Sequence, residues 1–176
     1  HLGQPLLALV VMEPGALGAT QRHDAFQLAG LQETAGQLAA DGIQLAVTTR
    51  EAVAAVSDLA QVLRAGAVVA DLAPLRHDRQ AESLVAERLT VPLHLVDAHN
   101  IRPRIQRQLP EFLTEFPALR RHPHAWPGRL SAPDWAGMLA ASDDHAGPSL
   151  TWCQPGPTAA TAAMERFIER GLAAYD

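Results

Sequence analysis

Apolar residues come along this chain in short solid blocks that alternate with longer, periodically apolar stretches. Pro5–Met12 is nearly all apolar, the pattern of a strand covered on both faces. It stops at Glu13-Pro14-Gly15, a turn signal. From about Thr20 to Ala40, Leu28, Leu31, Ala35 and Leu38 fall on one face of a helix, which Asp41-Gly42 ends. Ile43, Leu45 and Val47 then alternate with Gln44 and Ala46, predicting a strand near a sheet edge. Thr48 and Glu51 have capping-box spacing for the next helix, whose buried face is Val53, Val56, Ala60 and Leu63 and whose stop is Gly66. Two further apolar runs, Ala67–Ala70 and Leu93–Val96, each stop at an aspartate, Asp71 and Asp97. The stretch between them predicts a crossover helix with Asp78 as N-cap and Leu84, Val85 and Leu89 toward the sheet.

Four strands alternating with three helices predict an α/β fold: a Rossmann-like, doubly wound parallel sheet with helices on both faces. In such sheets ligands bind beyond the carboxyl ends of the strands. That places Glu13, Asp71 and the run Asp97-Ala98-His99-Asn100 on the functional edge. After Asn100 the pattern changes. Residues 102–117 predict a short, proline-broken helical pair, and residues 117–157, rich in Pro, Gly and His, read as a linker. That linker carries Trp126, Trp135 and Trp152, so it is expected to pack on something. Pro155-Gly156-Pro157 opens a last helix with Ala160, Met164, Phe167, Ile168 and Leu172 on one face.

Composition narrows the function classes. At 176 residues the chain is one ordinary domain, or a domain and a tail. No apolar run approaches the roughly 20 residues of a membrane helix. Leu6–Met12 lacks a basic region ahead of it and is not read as a signal peptide. The single cysteine, Cys153, excludes an internal disulfide framework and fits a reducing, cytoplasmic compartment. The 14 basic residues are all arginine, so neither a Schiff base nor a phosphate-loop lysine is available. A net charge of −5 makes the chain a poor autonomous binder of nucleic acid.

The chemistry-bearing residues have ordinary readings beside the functional ones. No Gly-x-Gly-x-x-Gly follows a strand, and turn geometry explains Gly15 and Gly18. His99, His122, His124 and His145 match no zinc-ligand spacing and read as hydrogen-bonded or surface residues; a histidine metal module is the weakest reading. Asp71 and Asp97 either cap the turn or helix after them or hydrogen-bond a ligand, with acid–base catalysis behind both. Arg104 and Arg107, beside Arg102, could clamp an anion, but pairing with Glu111 on a solvated face accounts for them as well.

Longer motifs go further. Asp71-Leu72-Ala73-Pro74-Leu75-Arg76, Val96-Asp97-Ala98-His99-Asn100, Ile101-Arg102-Pro103-Arg104-Ile105 and Leu109-Pro110-Glu111-Phe112-Leu113-Thr114-Glu115-Phe116-Pro117 resemble the N-terminal half of class II cyclobutane-pyrimidine-dimer photolyases. The resemblance extends to Arg22-His23, Phe26, Gly30-Leu31, Trp152, Pro155-Gly156 and the last helix with Phe167, Leu172 and Tyr175. It implies an α/β domain over residues 1–116, lacking the family's first strand and helix, then an interdomain linker and terminal helix over residues 117–176. The family's first strand is central in its sheet, so its absence leaves a hole. Relatives also carry a segment where Asn100 here abuts Ile101.

The resemblance implies a light-harvesting and scaffold role. Such a domain can hold an antenna chromophore, a deazaflavin or folate, that passes excitation to a catalytic flavin. FAD, the electron-transfer tryptophans and the contact with damaged DNA belong to a C-terminal helical domain. Trp126, Trp135 and Trp152 are not the electron-transfer residues. The full-length parent would be a carbon–carbon lyase, with this chain alone not catalytic. Resemblance and strand-end position together make Met12, Glu13, Asp71, Leu72, Asp97, Ala98 and Asn100 the expected ligand-facing residues. The alternative is a stand-alone nucleotide-binding α/β regulatory module of stress-protein or electron-transfer-flavoprotein type. No membrane partner is expected under either reading.

Overall fold

A computed structural model describes residues 3–13, 18–96, 120–128, 130–140 and 151–175. In order they form β1 (Leu7–Val11), α1 (Gln21–Ala40), β2 (Gln44–Thr48), α2 (Ala52–Val62), β3 (Val68–Asp71), α3 (Arg76–Arg88) and β4 (Leu93–Val96). A short helix α4 (Trp135–Ala140), the helix α5 (Pro157–Arg170) and a 3-10 turn (Leu172–Ala174) complete the described elements. The expected α/β class and parallel pairing are found. The described strands nonetheless pair as two ladders of two, β1 with β2 and β3 with β4, rather than as one sheet of four. Thus β1 and β3 each have a single hydrogen-bonded neighbour among the described residues. The chain divides into two compact units, residues 1–49 with 120–176, and residues 50–119.

In the first unit β1 and β2 run parallel in the register Leu7↔Gln44 to Val11↔Thr48, joined by the 20-residue α1. Thr20 starts α1: its N–H donates to Nδ1 of His23 at 3.1 Å, an imidazole doing what a glutamate does in the usual capping box. Asp24, buried in the first turn, places its carboxyl at the positive end of the helix dipole. The other end closes as the sequence predicts. Gly42 takes φ +78°, its N–H donates to the Ala39 carbonyl at 3.1 Å, and Ile43 N–H donates to Leu38 O at 2.9 Å. Those two bonds define a Schellman motif, with Ile43 and Leu38 as its apolar pair. Leu28 of α1, Leu45 of β2 and Met12 after β1 form the buried core of this unit.

β1 is not covered on both faces: all five of its residues are only half-buried. The stretch after residue 119 packs in part. His122 N–H donates to Asp41 O at 2.6 Å and Gln44 Nε2 to Leu130 O at 3.3 Å. Trp126 and Trp135 are half-buried, in line with the expectation that this stretch packs on something, while Trp152 is 83% exposed.

In the second unit β3 and β4 pair parallel from Val68↔Leu93 to Asp71↔Val96 around α3. Four sequence expectations are corrected here. Thr48 does not cap α2, because it is still engaged in β2 opposite Val11. Glu51 is itself the N-cap, and its carboxylate accepts from Val53 N–H and Ala54 N–H, both at 2.8 Å. Gly66 does not stop α2 either. Arg64 takes the left-handed position at φ +51°, with Ala65 N–H to Ala60 O at 2.9 Å and Arg64 N–H to Gln61 O at 3.1 Å. Finally, Asp78 lies in the first turn of α3, whose N-cap is Leu75, and Leu84 is exposed. The covered stripe of α3 is Asp78, Ala81, Glu82, Val85 and Leu89, and Leu84 falls one step off it. Ala55 and Val85 are the buried apolar residues of this unit.

These helix ends carry two predictions. A non-glycine residue in the left-handed region costs about 1–2 kcal/mol, and glycine returns part of that as extra freedom of the unfolded chain. Arg64→Gly is therefore expected to raise stability by up to about 1 kcal/mol, read as a higher denaturant midpoint. The Glu51 carboxyl is held below the usual carboxylate range by its bonds from Ala54 and Val53, with smaller help from Arg88 and Arg50. A depressed folded pKa contributes stability above the ordinary value of 4.5, which is lost as pH falls through the lower folded value. The gap in denaturation midpoint between the protein and Glu51→Gln should be full near neutrality and close on acidification. A gap that persists in acid would contradict this origin.

Candidate functional site at the strand ends

At the carboxyl end of β1 the ladder runs one residue further, Met12 N–H donating to Thr48 O at 2.8 Å. The Met12 side chain turns into the core and is 4% exposed, so it supports the edge from beneath. Glu13, the next residue, is exposed.

At the carboxyl end of the other ladder, Asp71 is the last residue of β3 and lies opposite Val96. Leu72 N–H donates to Val96 O at 2.8 Å, continuing the pairing past the strand. Ala73 N–H donates to Oε1 of Glu82 at 2.6 Å. The turn after β3 is thus pinned twice, by β4 and by a carboxylate reaching back from α3. This rigid backbone presents the exposed Asp71, while Leu72 is half-buried beside it. Asp71 does not cap α3, which starts at Leu75 with no side-chain cap. Its helix-capping reading therefore fails, and its carboxylate lies exposed at the strand end. Glu82 is the residue that sequence reasoning missed. Its one signal is helical spacing: it lies three residues before the buried Val85, on the covered stripe.

Asp97, Ala98, His99 and Asn100, the arginines at 102, 104 and 107, Glu111 and His145 lie outside the described residues. His122 and His124 do meet, with ring centroids 6.0 Å apart. Nδ1 of His122 accepts from the His124 N–H at 3.2 Å, so the ring is bound locally to backbone. Among the described residues no three His, Cys, Asp or Glu side chains gather in a way that could hold a metal ion. No described helix is long and apolar enough to cross a membrane.

Parallel βαβ units with rigid, polar strand ends define a Rossmann-like α/β protein with its candidate site on the carboxyl edge. The model of the DNA photolyase family matches residues 1–116, and the chain belongs to that family. It is 30% identical over 188 residues to a deoxyribodipyrimidine photo-lyase of Potorous tridactylus, covering 96% of this chain and 35% of that enzyme. The enzyme of the same description from Oryza sativa subsp. japonica is 29% identical over 194 residues, covering 93% of this chain and 38% of its own length. One from Thermus thermophilus is 30% identical over 174 residues, covering 97% and 40%. The chain thus spans between a third and two-fifths of the length of these relatives.

Proposed function

We propose that this chain is the N-terminal light-harvesting and scaffold domain of a class II DNA photolyase, an enzyme that repairs cyclobutane pyrimidine dimers by light-driven electron transfer from reduced flavin. The observation that carries the reading is the family match, which covers the parallel α/β segment and ends at residue 116, where the linker is expected to begin. In this reading residues 117–176 are the interdomain linker and terminal helix. FAD and the contact with damaged DNA belong to a C-terminal helical domain, and the protein works in the cytoplasm.

The alignment with the Potorous enzyme runs over more positions than this chain has residues, which supports an internal segment that the relative carries and this chain does not.

The ligand is an antenna chromophore, a deazaflavin or folate. Asp71 and Leu72, with Asp97, Ala98 and Asn100 after β4, are the strand-end residues of the second unit that would face it, while Met12 is turned into the core of the first unit. Asp71 contributes most, because the pinned turn holds its carboxylate ready to accept from a ring or ribityl donor without further ordering. A charged hydrogen bond of this kind contributes about 1.5–3 kcal/mol.

The test is titration of the purified chain with a deazaflavin and with a folate, followed by fluorescence anisotropy. Saturable binding of one of them, weakened about tenfold or more by Asp71→Ala, is expected. No binding of either, or tight binding of an adenine nucleotide instead, would overturn the light-harvesting role in favour of a nucleotide-binding module.

A further inference from the structure

The turn that follows β3 has its backbone donors taken. Oε1 of the half-buried Glu82 reaches back from α3, across nine residues, and accepts from the Ala73 N–H at 2.6 Å. The Leu72 N–H donates to Val96 O at 2.8 Å. Pro74 has no N–H to give. Residues 72–74 therefore offer a ligand no backbone donor. They offer acceptors: their carbonyl oxygens, with the exposed Asp71 carboxylate beside them.

This inverts the usual chemistry of such a place. At the carboxyl edge of nucleotide-binding α/β units, phosphate is held by free backbone N–H groups of the turn and by the start of the helix that follows. Here α3 begins at Arg76, directly after the N-cap Leu75, so the turn lies where a phosphate would be seated. Glu82 occupies an N–H that such a phosphate would use and sets a carboxylate behind it. The neighbouring charges do not reverse the sign. His77 contacts Asp78 at 3.3 Å, and between Asp71 and Asp78 the sequence holds one arginine, Arg76.

We infer that Glu82 is a specificity-determining residue of this strand end: by holding the Ala73 N–H it shuts out phosphate and leaves a seat for a group that donates hydrogen bonds and carries no negative charge. This role rests on the function proposed above and narrows the ligand to one bound through an unphosphorylated ring or ribityl portion. It also separates the two readings of the edge, because the phosphate of an adenine nucleotide needs the donor that Glu82 consumes. A site that leaves a ligand's polar group unpaired rejects that ligand strongly, and a phosphate oxygen beside Asp71 finds no N–H in residues 72–74 to meet it.

The test is titration of the 176-residue chain, Glu82→Gln and Glu82→Ala with 5-deazariboflavin and with its 5′-phosphate, together with amide exchange at Ala73. A ribityl chain held at Asp71 carries that phosphate within reach of the turn. The unsubstituted chain should bind 5-deazariboflavin at least about tenfold more tightly than the phosphate. Glutamine keeps an oxygen for the Ala73 N–H, so Glu82→Gln should retain the preference. Glu82→Ala frees the N–H and should lose it, with faster exchange at Ala73. Equal affinity for the two forms in the unsubstituted chain would overturn the role of Glu82, and so would a preference that survives in Glu82→Ala. A preference lost in Glu82→Gln would overturn it too, since the carboxylate charge would then be the cause, as would a slow Ala73 amide without Glu82. A parallel titration with a folate keeps the two levels apart. Binding of neither deazariboflavin form nor the folate removes the light-harvesting reading and this role with it. Folate binding without deazariboflavin binding, or deazariboflavin binding without discrimination, removes the role of Glu82 alone.

Discussion

Leu28→Ala is expected to cost about 2–5 kcal/mol, the range for truncating a buried leucine to alanine. Leu28 is the central member of a thin core. In its unit only Met12, Leu28 and Leu45 are buried apolar residues among those described. The cavity left by three lost carbons therefore has few neighbours that could collapse into it, which places the cost in the upper half of the range. Against a total stability of about 5–15 kcal/mol for a domain, such a loss consumes a large fraction. Tryptophan fluorescence reports on this unit alone, because Trp126, Trp135 and Trp152 all belong to it. A denaturant midpoint read by that signal should fall steeply, with the slope unchanged if the transition stays two-state. A loss below about 1 kcal/mol would mean that the packing around Leu28 is looser than its burial indicates.

What the sequence made legible is the part of the fold set by local pattern. The start and stop of α1, the carboxyl ends of β3 and β4, and the opening of α5 at Pro157 all follow from periodicity, capping and turn chemistry within a few residues. The errors have a common cause. Thr48 looks like a cap until β1 claims it for the ladder, and that claim is made by residues nearly forty positions earlier. Gly66 looks like the stop of α2, but the helix closes two residues sooner on Arg64, where the bonds to Ala60 and Gln61 outweigh the backbone penalty. On α3 the charged Asp78 and Glu82 hide a regular covered stripe, so Leu84 reads as part of a face it does not share.

The candidate site divides in the same way. Asp71 is visible as the polar residue that ends an apolar run. Glu82, which fixes the turn beside it, is not, because its role depends on a backbone N–H nine residues earlier that only the folded crossover brings within reach. The Gly30–Leu31 and Pro155–Gly156 motifs could be matched as text but not explained as text. Their physical meaning lies in the approach of α1 to the start of α5.

That approach sets the other large effect. Gly156 takes φ +100° and ψ 157°, a region essentially closed to any residue with a Cβ, and it directly precedes the first residue of α5. A methyl group at Gly156 would also collide with the Glu33 carboxylate that caps the helix. Gly156→Ala thus carries two costs: about 1–3 kcal/mol of backbone strain, and loss of a charged N-terminal cap, itself about 0.5–2 kcal/mol. Relief comes most cheaply by letting α5 leave α1, since little else among the described residues holds it. Amide exchange of residues 160–170 should therefore accelerate sharply in Gly156→Ala while that of α1 changes little. Glu33→Ala removes the carboxylate that the methyl would strike, so the double substitution should cost less than the sum of the singles. Simple additivity in that cycle would mean that the strain at Gly156 acts through the backbone alone and that Glu33 does not hold α5 in place.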